Sequence, residues 1–238
     1  MTVKQLPYPI YYINLKRARN RNRHMIKQLR RYNAEYYRVN AVDGKRLNDY
    51  NITTSDKMNK FHPNEIACTL SHIKAYKMAL KHNHNVIMVM EDDIDLSLIP
   101  HWTPPYIKDI VKNAPNNWGI IQLHIQNPKH IWGNYFGDDD HTNDNPYVAF
   151  NNEFYSTVCY IINKPTMQVF ANINKRLDFD EFRADYFLYQ GVTTYTYYKP
   201  LFLLKDYTSQ IAPKQKARRE LVKRSNRVTL KYIYKIKL

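Results

Sequence analysis

Four carboxylates follow the most hydrophobic stretch of the chain. The segment "VIMVMEDDIDLS", residues 86 to 97, runs from five apolar residues into Glu91, Asp92 and Asp93, with Asp95 two places on. The apolar run predicts a strand buried on both faces of a largely parallel sheet. Open α/β sheets bind ligands outside the carboxyl ends of their strands, and carboxylates there suit Mg²⁺ or Mn²⁺ held together with substrate phosphates. An acidic turn that caps the next element is the alternative. If the chain stays extended, Glu91, Asp93 and Asp95 point to one side and Asp92 to the other.

Two arginines precede this cluster in the chain. Arg17 and Arg21 are four residues apart at the start of a predicted helix, residues 16 to 32, just past the strand that carries Asn14. This spacing places both guanidinium groups on one helix face. A helix start with two arginines suits a diphosphate. A solvated basic helix face is the alternative.

A second predicted helix, residues 62 to 82, carries a polar face beside an apolar one. Pro63 near the start and apolar residues at helical spacing support the helix. The polar residues are Glu65, Thr69, His72 and Tyr76, with Ser71 beside them. Taken alone, such a face is also typical of an ordinary solvated surface.

These residues need a sheet to bring them together. Residues 8 to 15 and 34 to 42 read as strands on either side of the first helix, and the turn Asp43-Gly44 closes the second strand. Later strands are predicted at residues 119 to 124, 155 to 163 and 193 to 204, and later helices at 165 to 177 and 179 to 189. Strands that alternate with helices predict an α/β fold, a single domain with a mostly parallel central sheet flanked by helices. Residues 127 to 146 are polar and turn-rich and predict a long loop within it.

Composition narrows the classes of protein. The chain has 238 residues, 44% of them hydrophobic, and a formal charge of +15, which attracts phosphates, polynucleotides or acidic surfaces. Its five glycines form neither a GxGxxG motif nor a Walker loop, so dinucleotide binding by a Rossmann motif and P-loop chemistry are both disfavoured. Cys68 and Cys159 are too few for a disulfide framework or a cysteine-based zinc site, and we expect two buried free thiols. The chain shows no secretory or membrane-spanning stretch, so we expect a cytoplasmic protein.

Four motifs in order resemble glycosyltransferase family 25, which includes lipooligosaccharide and procollagen galactosyltransferases. "INLKRARNRNRHM" resembles the family pattern INLxRxxxRxxxM, and "VNAVDGKRL" resembles its AVDG segment. "NEIACTLSHIKAYKMAL" resembles its ExxCxLSH helix, and "VIMVMEDDIDL" resembles its strand that ends in EDD. The C-terminal half matches more loosely, through "YSTVCYIINKPTMQVF", "FRADYFLY" and "KPLFLLKDYTSQI".

The resemblance implies a GT-A-like, Rossmann-related fold and an inverting, metal-dependent transfer of a hexose, galactose or glucose, from a UDP-sugar. The acceptor would be a hydroxyl of a glycan or of hydroxylysine in a collagen-like protein. By position in EDD, Asp93 would bind Mn²⁺ (or Mg²⁺) directly, Glu91 would bind the ion or its water, and Asp92 would bind the ribose. The residues assigned to the donor are Asn14, Arg17, Arg21, Asp43, Gly44, Glu65, Ser71, His72 and Asp92.

The general base must come from a different element than EDD, because inversion requires it opposite the leaving diphosphate. Asp185 lies in "FRADYFLY", where aromatic neighbours would desolvate it and raise its pKa. It also matches the aspartate of the family segment. Asp206 is the second candidate, and a buried ion pair of Asp185 with Arg183 or a lysine is the structural alternative.

Two other interpretations of the sequence stay open. A basic nucleic-acid-binding protein would explain the charge but not the carboxylates, and a Mg²⁺-dependent phosphoryl-transfer enzyme or nuclease would explain the carboxylates but not the LSH helix. We therefore expect no nucleic-acid partner. We place the catalytic domain at residues 1–213 and a basic segment at 214–238. This segment indicates docking to a membrane surface or a second subunit, with a helix packed on the domain as the alternative.

Overall fold

A mixed seven-stranded sheet forms the centre of the molecule. The computed structural model describes residues 6–126, 145–151, 155–173, 176–207 and 215–236. Its strands are β1 (Ile10–Asn14), β2 (Tyr36–Asn40), β3 (Thr53–Thr54), β4 (Val86–Glu91), β5 (Ile94–Asp95), β6 (Ile120–Gln122), β7 (Tyr147–Ala149), β8 (Cys159–Asn163), β9 (Arg176–Leu177), β10 (Thr194–Tyr197) and β11 (Leu203–Leu204). The central sheet has the order β2-β1-β4-β8-β6-β10-β7, while β11 pairs with β5 and β3 pairs with β9.

Helices cover both faces of this sheet. They are α1 (Arg19–Arg31), α2 (Pro63–Lys81), α3 (Ile107–Lys112), α4 (Lys164–Ala171), α5 (Ala184–Gln190) and α6 (Gln215–Val228). Shorter 3₁₀ turns lie at Gly44–Tyr50, Asp56–Lys60 and Ile99–His101, and a π-helical turn follows at Thr229–Ile233. In the parts of the chain that the structure describes, no helix is both long enough and apolar enough to cross a membrane.

Side-chain alternation along the strands divides the core into two layers. On one face, Met88 and Met90 of β4 pack in a cluster with Met25 and Leu29 of α1. On the other face, Ile87 and Val89 of β4 pack with residues of α2, α4 and α5. Because β4 carries apolar side chains on both faces, it must lie inside the sheet, as its sequence predicts.

The predicted α/β fold is confirmed, and the sheet adds a detail that the sequence pattern did not predict. Strands β2, β1, β4, β6 and β10 run in one direction. Strand β8 lies between β4 and β6 and is antiparallel to both, and β7 is antiparallel to β10. The amino end of β8 therefore lies beside the carboxyl end of β4, with Cys159 opposite Met90.

Several predicted elements differ in extent. The helix predicted at 165 to 177 ends at Ala171, and β9 lies at Arg176–Leu177 instead. Helix α1 begins at Arg19, so Arg17 lies in the loop before it and not on the helix. The late strand predicted at 193 to 204 is two strands, β10 and β11, interrupted at Lys199-Pro200 because proline supplies no ladder donor. Of the predicted loop at 127 to 146, residues 127 to 144 lie outside the described residues.

Candidate functional site

A single open cleft gathers most of the predicted site residues. It lies at the carboxyl ends of β1, β2 and β4, which are level because Ile13 of β1 pairs with Glu91 and Asn14 pairs with Asn40. The lining residues are Ile13, Leu15, Arg17, Arg21, Ala41, Val42, Gly44, Asn64, Ala67, Cys68, Ser71, His72, Glu91, Asp92 and Asp93. The cleft is open to solvent, and the space between its walls, with that open solvent included, is about 640 Å³.

Asp92 is anchored between β1 and α1. Asn14 Nδ2 donates a hydrogen bond to Asp92 Oδ2 at 2.6 Å, and Arg21 Nη1 donates to Asp92 Oδ1 at 2.6 Å. Burial raises the pKa of Asp92, while the charge of Arg21 and the hydrogen bonds from Arg21 and Asn14 oppose that shift. Arg38 holds Asn14 in turn, through two bonds to Oδ1 of 3.0 and 2.6 Å. Asp92 therefore joins three elements below the cleft.

Asp93 lies next to this anchored pair. The chain turns at Asp92 and Asp93 before β5, so the extended arrangement of Glu91, Asp93 and Asp95 on one side does not form. Asp93 Oδ2 is 3.9 Å from Arg21 Nη1, and its side chain is only 4% exposed. The backbone N–H of Lys205 donates to Asp93 O at 2.7 Å, which holds the turn against the β11 segment. Arg21 also stacks over the Tyr207 ring at 5.0 Å.

Arg17 and the Asp43-Gly44 turn form the opposite rim. Arg17 pairs with Asp43, and Asp43 Oδ1 also accepts a hydrogen bond from the backbone N–H of Lys45 at 3.1 Å. Ser71 of α2 accepts a hydrogen bond from Val42 N–H at 2.9 Å, which fixes the loop after β2. The Arg17 side chain is 40% exposed at the rim, so a ligand in the cleft can reach its guanidinium beside the Asp43 carboxylate.

The predicted polar face of α2 is buried and not a solvated surface. Thr69, His72 and Tyr76 are fully buried. His72 Nδ1 lies 2.8 Å from the Tyr160 hydroxyl, and Nε2 lies 3.8 Å from Glu91 Oε1. Glu91 also accepts a hydrogen bond of 2.7 Å from the Thr157 hydroxyl. This contact exists because β8 is antiparallel, which brings Thr157 alongside the end of β4.

Asp185 lies behind Glu91, in the first turn of α5. Burial and the Glu91 carboxylate raise the pKa of Asp185 to about 6, although His72 and hydrogen bonds from Thr157 oppose the shift. Arg183 pairs with Glu181 at 2.5 Å, so the structural alternative of an Asp185–Arg183 pair does not form. Asp185 is therefore close to Glu91 and His72, but it is not among the residues that line the cleft.

Two predicted site residues lie away from the cleft. Glu65 Oε2 accepts a 2.8 Å hydrogen bond from His62 N–H, which completes a capping box at the start of α2. Asp206 pairs with Arg219 of α6 at 3.3 Å, and its side chain is 40% exposed. These contacts give Glu65 and Asp206 structural partners and place neither with the other predicted residues.

Several residues at the site were not predicted. Asn64, Cys68, Thr157, Arg38 and Tyr207 contribute through the contacts described above or line the cleft. A signal existed for Cys68, because its spacing of four from His72 on a helix places both side chains on one face. No local sequence pattern marks Thr157, Arg38 or Tyr207 as site residues. They come near the acidic turn only through contacts between segments that are far apart in the chain.

A divalent cation fits the donor set of the cleft. Glu91 and Asp93 supply carboxylate oxygens on one wall, the ligand type that Mn²⁺ and Mg²⁺ prefer. Asp92 is already committed to Asn14 and Arg21. Carboxylates crowded here, Glu91 first, also contribute to the raised pKa of the neighbouring Cys68 thiol, after burial itself. A cation would relieve this crowding.

The sequence of the chain matches a model of a known protein family over the segment that forms the cleft. A family model described as glycosyltransferase family 25 (LPS biosynthesis protein) matches residues 8–188. The matched span runs from just before β1 into α5 and contains every cleft residue named above as well as Asp185. No curated protein matches the chain.

Proposed function

The chain belongs to glycosyltransferase family 25 and is a glycosyltransferase, and we propose that it moves a hexose, galactose or glucose, from a UDP-sugar to a hydroxyl with inversion. The acceptor hydroxyl belongs to a glycan or to hydroxylysine of a collagen-like protein. The observation that carries the proposal is one cleft in which two guanidiniums, those of Arg17 and Arg21, lie beside the carboxylates Glu91 and Asp93. Such a site can bind a diphosphate and a cation together.

The donor diphosphate binds on the arginine side of the cleft. Arg17 is the more available guanidinium, because Arg21 is buried and already donates to Asp92. Arg21 contributes charge near the cleft floor, where the low dielectric strengthens its effect on a phosphate. Gly44 brings the loop after β2 into close contact with the helix start at Asn64, which fixes the backbone of this rim.

Glu91 and Asp93 would hold Mn²⁺ or Mg²⁺. When bound, the ion supplies charge stabilisation to the departing diphosphate. Asp93 is the direct ligand in this proposal and Glu91 binds the ion or its water. Asp92 keeps Arg21 and Asn14 in place, and its oxygens can still accept a hydrogen bond from the ribose.

Asp185 is the general base of the proposed reaction. Its raised pKa of about 6 is close to the range in which a carboxylate accepts a proton efficiently near neutral pH. The base takes the proton of the acceptor hydroxyl as that oxygen attacks the anomeric carbon. Asp206 is not favoured for this role, because it is half-exposed and paired with Arg219.

A panel of UDP-sugars tests the proposal. Purified protein is incubated with each donor and Mn²⁺, and release of UDP is measured with and without excess chelator. We expect turnover of UDP-galactose or UDP-glucose that chelation abolishes. Full turnover in chelator would end the metal requirement, and metal-dependent cleavage of DNA or RNA without sugar turnover would favour the nuclease reading. Steep salt-dependent nucleic-acid binding without metal would favour the binding reading.

A further inference from the structure

Three side chains of different chemistry converge behind the acidic wall of the cleft. Cys68 and His72 lie one turn apart on α2, and Glu91 ends β4. One potential ligand atom from each residue lies within 4.8 Å of the others. These are a thiol sulfur, an imidazole nitrogen and a carboxylate oxygen. Among the described residues, this is the group of three in which histidine, cysteine or carboxylate atoms come close enough to share an ion.

The orientation of His72 points to a missing ligand. The residue is 0% exposed, and its Nδ1 is engaged by the Tyr160 hydroxyl at 2.8 Å. Within the part of the chain that the structure describes, its Nε2 has no hydrogen-bond partner. Burial removes water from a polar nitrogen, and without a partner that loss is not offset, so such an atom calls for an explanation. Nε2 lies 3.8 Å from Glu91 Oε1, on the side of the cluster.

This arrangement has the features of a metal-ligating histidine. Such a residue usually donates its other ring N–H to a nearby oxygen, which fixes the ring and leaves the ligating nitrogen unprotonated. The Tyr160 hydroxyl provides that oxygen, and it is in turn 2.5 Å from the Tyr76 hydroxyl. Ligand atoms around tetrahedral zinc lie roughly 3.3–3.8 Å apart, given bonds of about 2.0–2.3 Å. The distance from His72 Nε2 to Glu91 Oε1 already meets this value, and the three ligand atoms lie within 4.8 Å of one another.

We propose that Cys68, His72 and Glu91 form a binding site for a thiophilic divalent cation, Zn²⁺ in the first place, that is distinct from the Glu91–Asp93 pair. A mixed sulfur, nitrogen and oxygen set with one open position is a zinc-type set, whereas Mg²⁺ and Mn²⁺ prefer oxygen alone. The expectation that two cysteines are too few for a zinc site holds only for sites built on cysteine. A mixed set requires only one.

The state of the thiol sets the conditions for binding. Burial, with the nearby carboxylates Glu91, Asp185, Asp93 and Glu65, raises the pKa of Cys68 well above its ordinary value. Binding breaks the S–H bond, forms a sulfur–metal bond and releases one proton to solvent, so apparent affinity rises with pH.

Glu91 would be shared between this site and the cation of the sugar donor, so binding at one site should affect the other. Only this consequence for catalysis rests on the proposed function. An ion held by Cys68 and His72 draws the Glu91 carboxylate away from the donor's cation. We therefore expect Zn²⁺ to inhibit transfer that Mn²⁺ supports, and excess Mn²⁺ to restore it only partly.

Titration with Co²⁺ tests the site without any activity measurement. Thiolate ligation of Co²⁺ produces a charge-transfer band in the near ultraviolet. We expect the full chain to develop this band with one equivalent of Co²⁺, and Zn²⁺ to remove it at far lower concentration than Mg²⁺. Cys68→Ala should abolish the band, whereas Cys159→Ala and Asp93→Asn should retain it, with circular dichroism confirming that each variant is folded.

A variant of Tyr160 gives a second measurement that does not remove a ligand. Tyr160→Phe deletes the oxygen that orients His72 and should lower Zn²⁺ affinity by about 10- to 100-fold. A band that persists in Cys68→Ala, no band at saturating Co²⁺, or equal displacement by Mg²⁺ would each overturn the site. If the Cys68-dependent band is present but no UDP-sugar turns over, the metal site stands and the proposed function fails. The reverse result removes only the metal site.

Discussion

The carboxylates that follow β4 have different surroundings although they are adjacent in the chain. Asp92 lines the cleft together with Glu91 and Asp93, but of the three it is the one tied to both Arg21 and Asn14, so it supports the fold as well. Arg17 and Arg21 differ in the same way, since one is exposed at the rim and the other is buried. Substitutions of the buried residues should therefore lower the free energy of unfolding, whereas substitutions at the rim and the cleft wall should weaken donor or cation binding.

The two arginines give the first prediction. Arg21→Ala leaves the buried Asp92 carboxylate without its cation, and breaking such a pair costs roughly 3–5 kcal/mol in unfolding free energy. Arg17→Ala should change the free energy of unfolding by less than about 1 kcal/mol, because the ion pair that it removes is exposed. It should raise the KM for the UDP-sugar, because a charge-assisted hydrogen bond to the donor is worth roughly 1.5–3 kcal/mol. Urea unfolding and donor kinetics measure both, with exposed Arg19→Ala as the control. Unchanged donor KM in Arg17→Ala would return that residue to a solvated role.

The second prediction concerns Asp93. Asp93→Asn keeps the shape of the side chain but removes the charge that would bind the cation. Metal-dependent turnover should therefore fall by about 100-fold or more. The melting temperature should stay close to that of the wild type. Asp95→Asn is the matched control. Asp95 pairs with Lys205 at 3.6 Å and caps Ser97 N–H, outside the cleft, so its variant should keep near-normal turnover. Equal activity of both variants would contradict the role given to Asp93.

The third prediction uses the pKa of Asp185 in metal-free protein. Because the folded pKa is raised from an ordinary 3.8 to about 6, the folded state holds more protons than the unfolded state between about pH 4 and pH 6. The stabilisation from this proton is full below that window and is lost as pH rises through it. The urea midpoint of unfolding, measured in chelator, should therefore fall for the wild type relative to that of Asp185→Asn as the pH rises from 4 to 6. Above pH 6 the difference between the two midpoints should stay constant. A constant difference across this range would show that the Asp185 pKa is ordinary.

Among the secondary-structure elements, α2 does most to shape the cleft. Its capping box fixes the first turn. Ser71 and His72 lie in the third turn, and their side chains reach the loop after β2 and the end of β4, respectively. Gly44 packs directly against the first turn. A Cβ at Gly44 would lie 2.7 Å from Asn64 Cα and 2.8 Å from Asn64 N. The position of α2 thus depends on a glycine in the preceding loop.

Gly44→Ala gives the fourth prediction. Since the clash is with backbone, α2 or the loop after β2 must shift, and both line the cleft. We expect a loss of roughly 1–3 kcal/mol in stability together with a raised donor KM. Lys45→Ala is the control, because its side chain is exposed and only its backbone N–H contacts Asp43. Wild-type stability and kinetics in Gly44→Ala would show that the loop is not constrained by α2.

Across the whole molecule, the C-terminal helix packs on the domain, which was the alternative to a free basic tail. Val222 is buried in the core, and Asn226 exchanges hydrogen bonds of 3.2 and 2.7 Å with the backbone of Leu204. Ser225 donates to the backbone of Gln126. Exposed basic residues cover the outer side, namely Arg219, Lys223, Arg224, Arg227, Lys231 and Lys235. Docking of this surface to an anionic membrane or a second subunit stays a prediction, as does the domain boundary at residue 213.

Truncation after Pro213 gives the fifth prediction. It removes Val222 and Ile233 from the core and leaves the Leu204 backbone without its Asn226 partner, next to the strand that pairs with β5. We expect the melting temperature to fall by several degrees or more, because burial of each large apolar side chain is worth roughly 1.5–3 kcal/mol. The double variant Arg224→Ala and Arg227→Ala, which changes only exposed charge, is the control. A truncated protein as stable as the full chain would show that the helix packs without contributing to stability.

The sequence by itself predicted most strands of the central sheet, the helices α1 and α2 and the acidic wall. The unbroken apolar run of β4 predicted a strand buried on both faces, and parallel pairing then placed Asn14 of β1 and Glu91 of β4 at one edge, because parallel strands end together. Only the tertiary structure decided how these groups are used. The antiparallel insertion of β8 brings Thr157 to Glu91. The turn after β4 separates Asp92 from Asp93, and the packing of α2 on the sheet brings Cys68 and His72 to the Glu91 carboxylate. These contacts join residues far apart in the chain, and local periodicity carries no information about such pairings.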